Sequence, residues 1–273
     1  MKVCIVGAGA IGGLIGTKPA AAGHSQVCAI ARGATLDALR THGWRLRTAS
    51  GPLQGPARAS TNAQELGAQD LVVVAVKGPA LAEVAGALGP LFGPGTVVLP
   101  AMNGVPWWFC TGFPGIGDAP LESVNPGGRI AAAIPFARVL GCVVHASASV
   151  LEPGLVQHRM GNGLIVGEPH GGESARARAV VALLRDAGFD ASQSADVRYD
   201  IWYKLWGNLT MNPVSAITRA TADLLLADPL VRAFCSAAME EAAAIGARIG
   251  CAIAQAPRAS AARSPRPPRI ATP

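Results

Sequence analysis

The stretch Lys2-Val3-Cys4-Ile5-Val6-Gly7-Ala8-Gly9-Ala10-Ile11-Gly12 decides the fold. An apolar run suited to a buried strand ends in G-x-G-x-x-G spacing at the start of the chain. At that spacing each glycine has its own task. Gly7 permits the tight turn, Gly9 lets the backbone approach a pyrophosphate, and Gly12 lets the following helix pack closely on the strand, while the first helical N–H groups point at the anion. Residues Gly7, Ala8, Gly9, Ala10, Ile11 and Gly12 are therefore read as the phosphate-binding turn of a dinucleotide site.

The choice of dinucleotide is read at the end of the next apolar run, Gln26-Val27-Cys28-Ala29-Ile30-Ala31-Arg32. Sites for NAD place an Asp or Glu about 20 residues beyond the glycines, where it binds the ribose 2′-hydroxyl. This run ends in Arg32, which can hold the 2′-phosphate of NADP with charge-assisted hydrogen bonds. No acid stands beside it in the run, so the cofactor expected is NADP.

Outward from this unit, strand and helix signals alternate through two thirds of the chain. Strands are predicted at 2–6, 26–31, 70–76 and 95–100, with a hairpin from 44–48 and 53–58. Two more are predicted at 139–150 and 155–167 around Glu152-Pro153-Gly154, then a helix over 174–187 and a strand at 189–193. The fold class is α/β: an N-terminal Rossmann-type, doubly wound sheet over 1–194. Pro19 conflicts with the helix predicted after Gly9, because an interior proline removes a hydrogen bond and kinks the helix. From Asp196 the pattern becomes continuously helical, which predicts a second, all-helical domain over 195–250. Asp228-Pro229 caps its last helix, 229–249. Residues 251–273 are rich in Pro, Arg, Ala and Ser and are expected to form a disordered tail.

Composition excludes several classes. Half of the 273 residues are apolar and 15% are charged, enough for a sizeable core. The longest apolar runs, such as Leu71 to Val76, are far shorter than a bilayer span, and the opening residues lack the cleavage pattern of a signal peptide. No membrane association is expected, and the expected location is the cytoplasm. Six scattered cysteines without a C-x-x-C pair read as reduced, buried thiols, not as disulfides or a metal site. The net charge of +6 is concentrated in Arg258, Arg263, Arg266 and Arg269, leaving a nearly neutral body without the clustered basic surface that nucleic acid requires.

A second chemical signal lies in Trp202-Tyr203-Lys204-Leu205-Trp206-Gly207-Asn208-Leu209-Thr210-Met211-Asn212-Pro213. Lys204, Asn208 and Asn212 recur every four residues and so share one helix face, with Trp202, Leu205 and Leu209 available to a core. A cation and two amides on one face can bind a carboxylate or hydroxyl, and the lysine can polarise a ketone and protonate it as hydride arrives. Lys77 and Asn103 each follow a predicted strand at its carboxyl end, where open α/β sheets bind ligands. His145, alone in a strand, reads as a satisfied core residue.

The glycine turn, Ile30-Ala31-Arg32, Val76-Lys77, Asn103-Gly104 and the Lys204…Asn208…Asn212-Pro213 helix, in this order, resemble the ketopantoate reductase (2-dehydropantoate 2-reductase) family over residues 1 to about 250. The resemblance implies a two-domain NADPH enzyme that reduces a small 2-keto acid to its 2-hydroxy acid in pantothenate biosynthesis. It implies Lys204 as proton donor, and Asn208 and Asn212 as substrate amides. Asn103 would bridge cofactor and substrate, with Lys77 and Arg32 on the cofactor side. Two departures keep other readings open. Pro106-Trp107-Trp108-Phe109 places aromatics after Asn103, either beside the nicotinamide, where they would allow another 2-keto acid, or in a core. The family also continues with helices that bear a Ser and a Glu near the active site, whereas this chain runs into its Pro/Arg tail, as a truncation, an out-of-frame end or a genuine tail would. The helical domain is therefore expected to be incomplete, its uncovered apolar face open to a homodimer, and a catalytically dead NADP-binding protein stands as the alternative.

Overall fold

The computed structural model describes residues 1–23, 26–113, 116 and 120–254; of the tail read above as disordered, 251–273, residues 255–273 lie outside them, while Cys251 is buried and its amide donates to the Gly246 carbonyl at 2.8 Å. The chain divides into two units, Met1–Ile201 and the residues from Trp202 on.

The strands of the first unit are β1 (Lys2–Val6), β2 (Gln26–Ile30), β3 (Trp44–Thr48), β4 (Gly51–Gly55), β5 (Arg58–Ser60), β6 (Gln69–Val74), β7 (Phe92–Pro100), β8 (Gly141–Glu152), β9 (Leu155–Gly167) and β10 (Asp190–Ser194). Its helices are α1 (Ala10–Ala22), α2 (Gly33–His42), α3 (Ala63–Leu66), α4 (Gly78–Val84), α5 (Arg129–Ala133) and α6 (Ala175–Asp186). One sheet runs β5-β2-β1-β6-β7 with every pairing parallel. Its central strands are covered on both faces, which is why β1 and β6 are written as unbroken apolar runs rather than alternating ones.

A second sheet, β10-β9-β3-β4 with β8 on the other side of β9, is mixed. The predicted hairpin is present as β3 and β4, but its second arm is Gly51–Gly55 rather than 53–58, so only 53–55 of the predicted arm belong to it. That arm ends at Gly55, and Arg58–Ser60 crosses to the first sheet beside β2.

Helix α1 packs against strands of both sheets, and its glycines show how closely. A Cβ at Gly13 would stand 2.5 Å from Val156 Cγ2 of β9, and one at Gly16 2.6 Å from the Trp44 ring of β3. Most of the helix, including Gly12 to Thr17, is buried between the sheets, so its residues are apolar on nearly every side, with Lys18 as the charged exception. It also runs through Pro19 without ending there. The proline forfeits the bond an amide at that position would donate to the Ile15 carbonyl, and the two sheets packed on the helix hold the segment in place. Lys18 beside it donates to Asn162 and, at 3.0 Å, to the Gly188 carbonyl, with its ammonium over the Phe189 ring.

The aromatic segment belongs to the core. Trp107, Trp108 and Phe109 are 5%, 2% and 1% exposed, and Trp108 packs on Phe136 with ring centroids 6.3 Å apart. Their burial removes the basis for reading them as determinants of substrate choice. His145 is instead exposed on β8, because it follows the buried run Gly141–Val144 where that strand emerges from the core.

Helix α7 (Val197–Thr218) carries the chain into the second unit, which continues with α8 (Ala222–Ala227) and α9 (Pro229–Arg248). Asp228 Oδ1 accepts from the Leu230 and Val231 amides at 2.8 and 3.1 Å, which caps α9. Trp206 Nε1 donates to the Met239 carbonyl at 2.8 Å, and Gly246 leaves room for the Trp202 indole. Among the described residues no helix is long and apolar enough to cross a membrane.

Candidate active site

The glycine turn sits at the carboxyl edge of the parallel sheet, between β1 and β6, where the strand order reverses. The Ala75 amide donates to the Val6 carbonyl at 2.9 Å, so the segments leaving these strands run side by side. Gly7 has φ +93°, and a Cβ there would meet Val76 Cγ1 at 2.7 Å, which requires glycine on both counts. At Gly12 a Cβ would lie 2.0 Å from the Gly7 carbonyl oxygen. At Gly9 it would meet nothing within 4 Å. Two of the three glycines are thus demanded by the protein itself, while the space over Gly9 is left open.

Gly9 is also the N-cap of α1, where no side chain accepts from the first-turn amides and no acid occupies that turn. Uncapped amides and the helix dipole together make a site for an anion. The turn opens on a cavity of about 430 Å³ lined by Gly7, Ala8 and Gly9, by Ile30, Ala31 and Arg32 from the end of β2, and by Val76, Ala80, Glu83, Val84 and Leu88. Arg32 is exposed, caps α2 with extended backbone, and makes no hydrogen bond or ion pair among the described residues. An anion recognised by Arg32 therefore displaces no existing partner.

The absence of an acid from this end of the cleft holds for β2 but not for the whole cavity. Glu83, exposed on α4, lines it. An acid on the outer face of a short helix has no sequence signal that separates it from an ordinary solvated residue. Thr35 and Thr61, also on the cavity wall, were equally silent.

Lys77 is the exposed N-cap of α4, between the lining residues Val76 and Ala80, but it does not itself line the cavity. Asn103 lies beyond the end of β7, exposed and engaged with other groups, and is followed by Gly104 at φ +87°. Ala10, Ile11 and Gly12 form the first turn of α1, behind the wall.

Lys204, Asn208 and Asn212 lie on α7, in the second unit. Lys204 and Asn208 are half-buried and Asn212 is exposed. The buried stripe of the helix is Trp202, Trp206 and Thr210, with Leu205 and Leu209 only half-buried. A two-residue offset is about 200° of helix rotation, so the polar triplet occupies the side opposite the indoles. Lys204 has interactions of its own.

A dinucleotide-type glycine turn on a parallel sheet, joined to a helical unit with a lysine–amide face, defines the class of two-domain, Rossmann-type oxidoreductases. The family described as Ketopantoate reductase PanE/ApbA matches residues 3–109, and its C-terminal part, Ketopantoate reductase PanE/ApbA C terminal, matches residues 196–264. A 2-dehydropantoate 2-reductase of Mesorhizobium japonicum is 42% identical over 251 residues, which is 92% of this chain and 77% of that protein. One from Archaeoglobus fulgidus is 30% identical over 249 residues, 91% of this chain and 75% of the relative. The crystal structure of a Ralstonia solanacearum MolK2 protein, provisionally assigned as a ketopantoate reductase, superposes with a TM-score of 0.90 at 54% identity, covering 93% of this chain and 79% of that one. The chain belongs to the ketopantoate reductase family and is an oxidoreductase of that family.

Proposed function

We propose that this protein reduces ketopantoate, a 2-keto acid, to pantoate with NADPH, and so serves pantothenate formation in the cytoplasm. The observation that carries the cofactor assignment is the single cavity whose wall includes both the open, uncapped Gly9 turn and an Arg32 without a partner among the described residues. The first suits a pyrophosphate and the second a 2′-phosphate. The nicotinamide, when bound, supplies the hydride. Uncapped α1 amides hold the pyrophosphate, Arg32 pairs with the 2′-phosphate, and Lys77 adds positive charge on the cofactor side.

On the substrate side the same reading gives Asn208 and Asn212 the hydroxyl and carboxylate oxygens, and Asn103 a position touching both ligands. Lys204 donates its proton to the carbonyl oxygen as negative charge develops there. Support for these roles comes from the shared helix face, the family membership and the order of the motifs. The test is steady-state reduction of a panel of 2-keto acids with NADPH and with NADH. Turnover is expected to be fastest with ketopantoate and to favour NADPH. Faster turnover of a different 2-keto acid would replace the substrate, and equal use of the two cofactors would remove the role given to Arg32.

A further inference from the structure

The opposite, amino-terminal end of the parallel sheet carries an arrangement that the reductase reading does not use. β1 and β2 pair in register so that Cys4 faces Cys28, and β2 pairs with β5 so that Cys28 faces Arg58. Arg58, Cys28 and Cys4 therefore form one row across three adjacent strands. Register partners in neighbouring strands point to the same face. The alternate residues Val3, Ile5, Val27 and Ala29 belong to the main hydrophobic core, whereas the two cysteines do not.

Cys4 is fully buried, while Cys28, 8% exposed, borders a cavity of about 400 Å³ whose wall includes Lys2, Arg58 and Gln69. The Cys28 thiol lies 3.5 Å from Gln69 Oε1, to which its S–H donates, and Gln69 is fixed by its own amide donating to the Leu66 and Gly67 carbonyls. The Arg58 guanidinium, held by the Glu65 carbonyl, supplies a cation on the other side.

We propose that Cys4 and Cys28 form an oxidisable dithiol site that reacts with peroxide-class oxidants and closes to a disulfide between adjacent strands. The reaction is a two-electron oxidation in two steps. The Cys28 thiolate attacks a peroxide oxygen, the O–O bond breaks, and the departing oxygen leaves as water or alcohol after taking up a proton. This leaves Cys28 as a sulfenic acid. The Cys4 sulfur then attacks the Cys28 sulfur, an S–S bond forms, the S–O bond breaks, and the oxygen leaves as water with the Cys4 proton.

Three features support this course. Neighbouring strands lie about 4.8 Å apart, inside the Cα separation of roughly 4.4–6.8 Å that a disulfide spans. The roles are asymmetric: the neighbouring Cys4 thiol and the Arg58 charge hold the Cys28 thiol below its ordinary range, while the neighbouring Cys28 and burial push Cys4 up. Cys28 is thus the group that ionises and meets the cavity, and Cys4 is the protonated resolving thiol behind it. A peroxide is also small enough for the cavity of about 400 Å³ that Cys28 borders.

The test titrates the full, reduced chain with hydrogen peroxide, quenches with N-ethylmaleimide, and maps unreduced peptides by mass spectrometry while far-UV circular dichroism follows the fold. Linked Cys4 and Cys28 peptides should accumulate in folded protein, about tenfold faster than any oxidation of the buried Cys142. In Cys4→Ser, oxidation should stop at Cys28 as a sulfenic acid that dimedone traps. In Cys28→Ser, Cys4 should take up no dimedone. Wild-type protein in which both cysteines remain alkylatable after peroxide would overturn the proposal. So would linkage that appears only after the dichroism is lost, or a Cys28 in Cys4→Ser that labels no faster than Cys142.

Discussion

Gly9 and Gly12, three residues apart in one motif, should fail in opposite ways when changed to alanine. At Gly12 the new Cβ would sit 2.0 Å from the Gly7 carbonyl oxygen and 3.0 Å from Ile5 Cγ2, so β1, the turn and α1 must separate by more than an ångström. Overpacking against backbone costs about 3 kcal/mol, which for a chain of this size is a fall in Tm of about 6–12 °C. At Gly9 the Cβ meets nothing within 4 Å, and φ −77° suits alanine, so the loss is confined to a poorer N-cap residue, about 0.5–1 kcal/mol. That methyl group would occupy the approach to the uncapped amides. Losing one charge-assisted hydrogen bond of about 1.5–3 kcal/mol weakens a dinucleotide about 10- to 100-fold. Thermal denaturation of both variants, with NADPH titration followed by nicotinamide fluorescence, reads the two effects separately. A Gly9→Ala protein that binds NADPH like the wild type, or that melts as low as Gly12→Ala, would refute the division of labour among the glycines.

Arg32→Ala should weaken NADPH about 10- to 100-fold and leave NADH nearly unchanged, measured by equilibrium titration; equal losses would show that Arg32 does not read the 2′-phosphate. Lys204→Ala should lower kcat about 10²–10⁴-fold with little change in NADPH affinity, and near-normal turnover would take the lysine out of the chemistry. Glu168 accepts both prongs of the Arg176 fork, at 2.7 and 2.6 Å, which holds its carboxyl below the usual range. The resulting stability is present above the ordinary carboxylate pKa and is lost as pH falls through the lowered one. Glu168→Gln should therefore shrink the acid-side fall in Tm, and an unchanged acid limb would place that fall elsewhere. Ile217, Leu230 and Phe234 are 82%, 82% and 63% exposed, so this chain should self-associate with rising concentration; a monomer at all loadings in sedimentation velocity would contradict that.

The parts of the fold legible in the sequence are those with local causes. β1, the glycine turn and α1 follow from one short motif, and the Asp228-Pro229 start of α9 from its cap. Both are written within a few residues of where they act. The second sheet was not legible as a separate layer, because β3 pairs with β9 across the chain, Arg45 opposite Leu155, and neither strand carries a mark of that partner. Gly13 and Gly16 were visible as letters, but their purpose appears only when Val156 and Trp44 arrive on α1. Pro19 looked like a break because propensity knows nothing of the two sheets that hold the helix. In the site, Arg32 was readable from its fixed distance beyond the glycines. Glu83 was not, since its place on the cavity wall depends on how α4 packs.

Hydride transfer by this chain is tested most directly with NADPH carrying deuterium at the transferred position of its nicotinamide and ketopantoate as acceptor. Mass spectrometry of the product is predicted to find pantoate labelled at the former keto carbon, with the label arriving about 10²–10⁴-fold more slowly in Lys204→Ala. NADPH that binds yet delivers no deuterium to ketopantoate or to any other 2-keto acid offered would contradict the reductase and leave a dinucleotide-binding protein in its place.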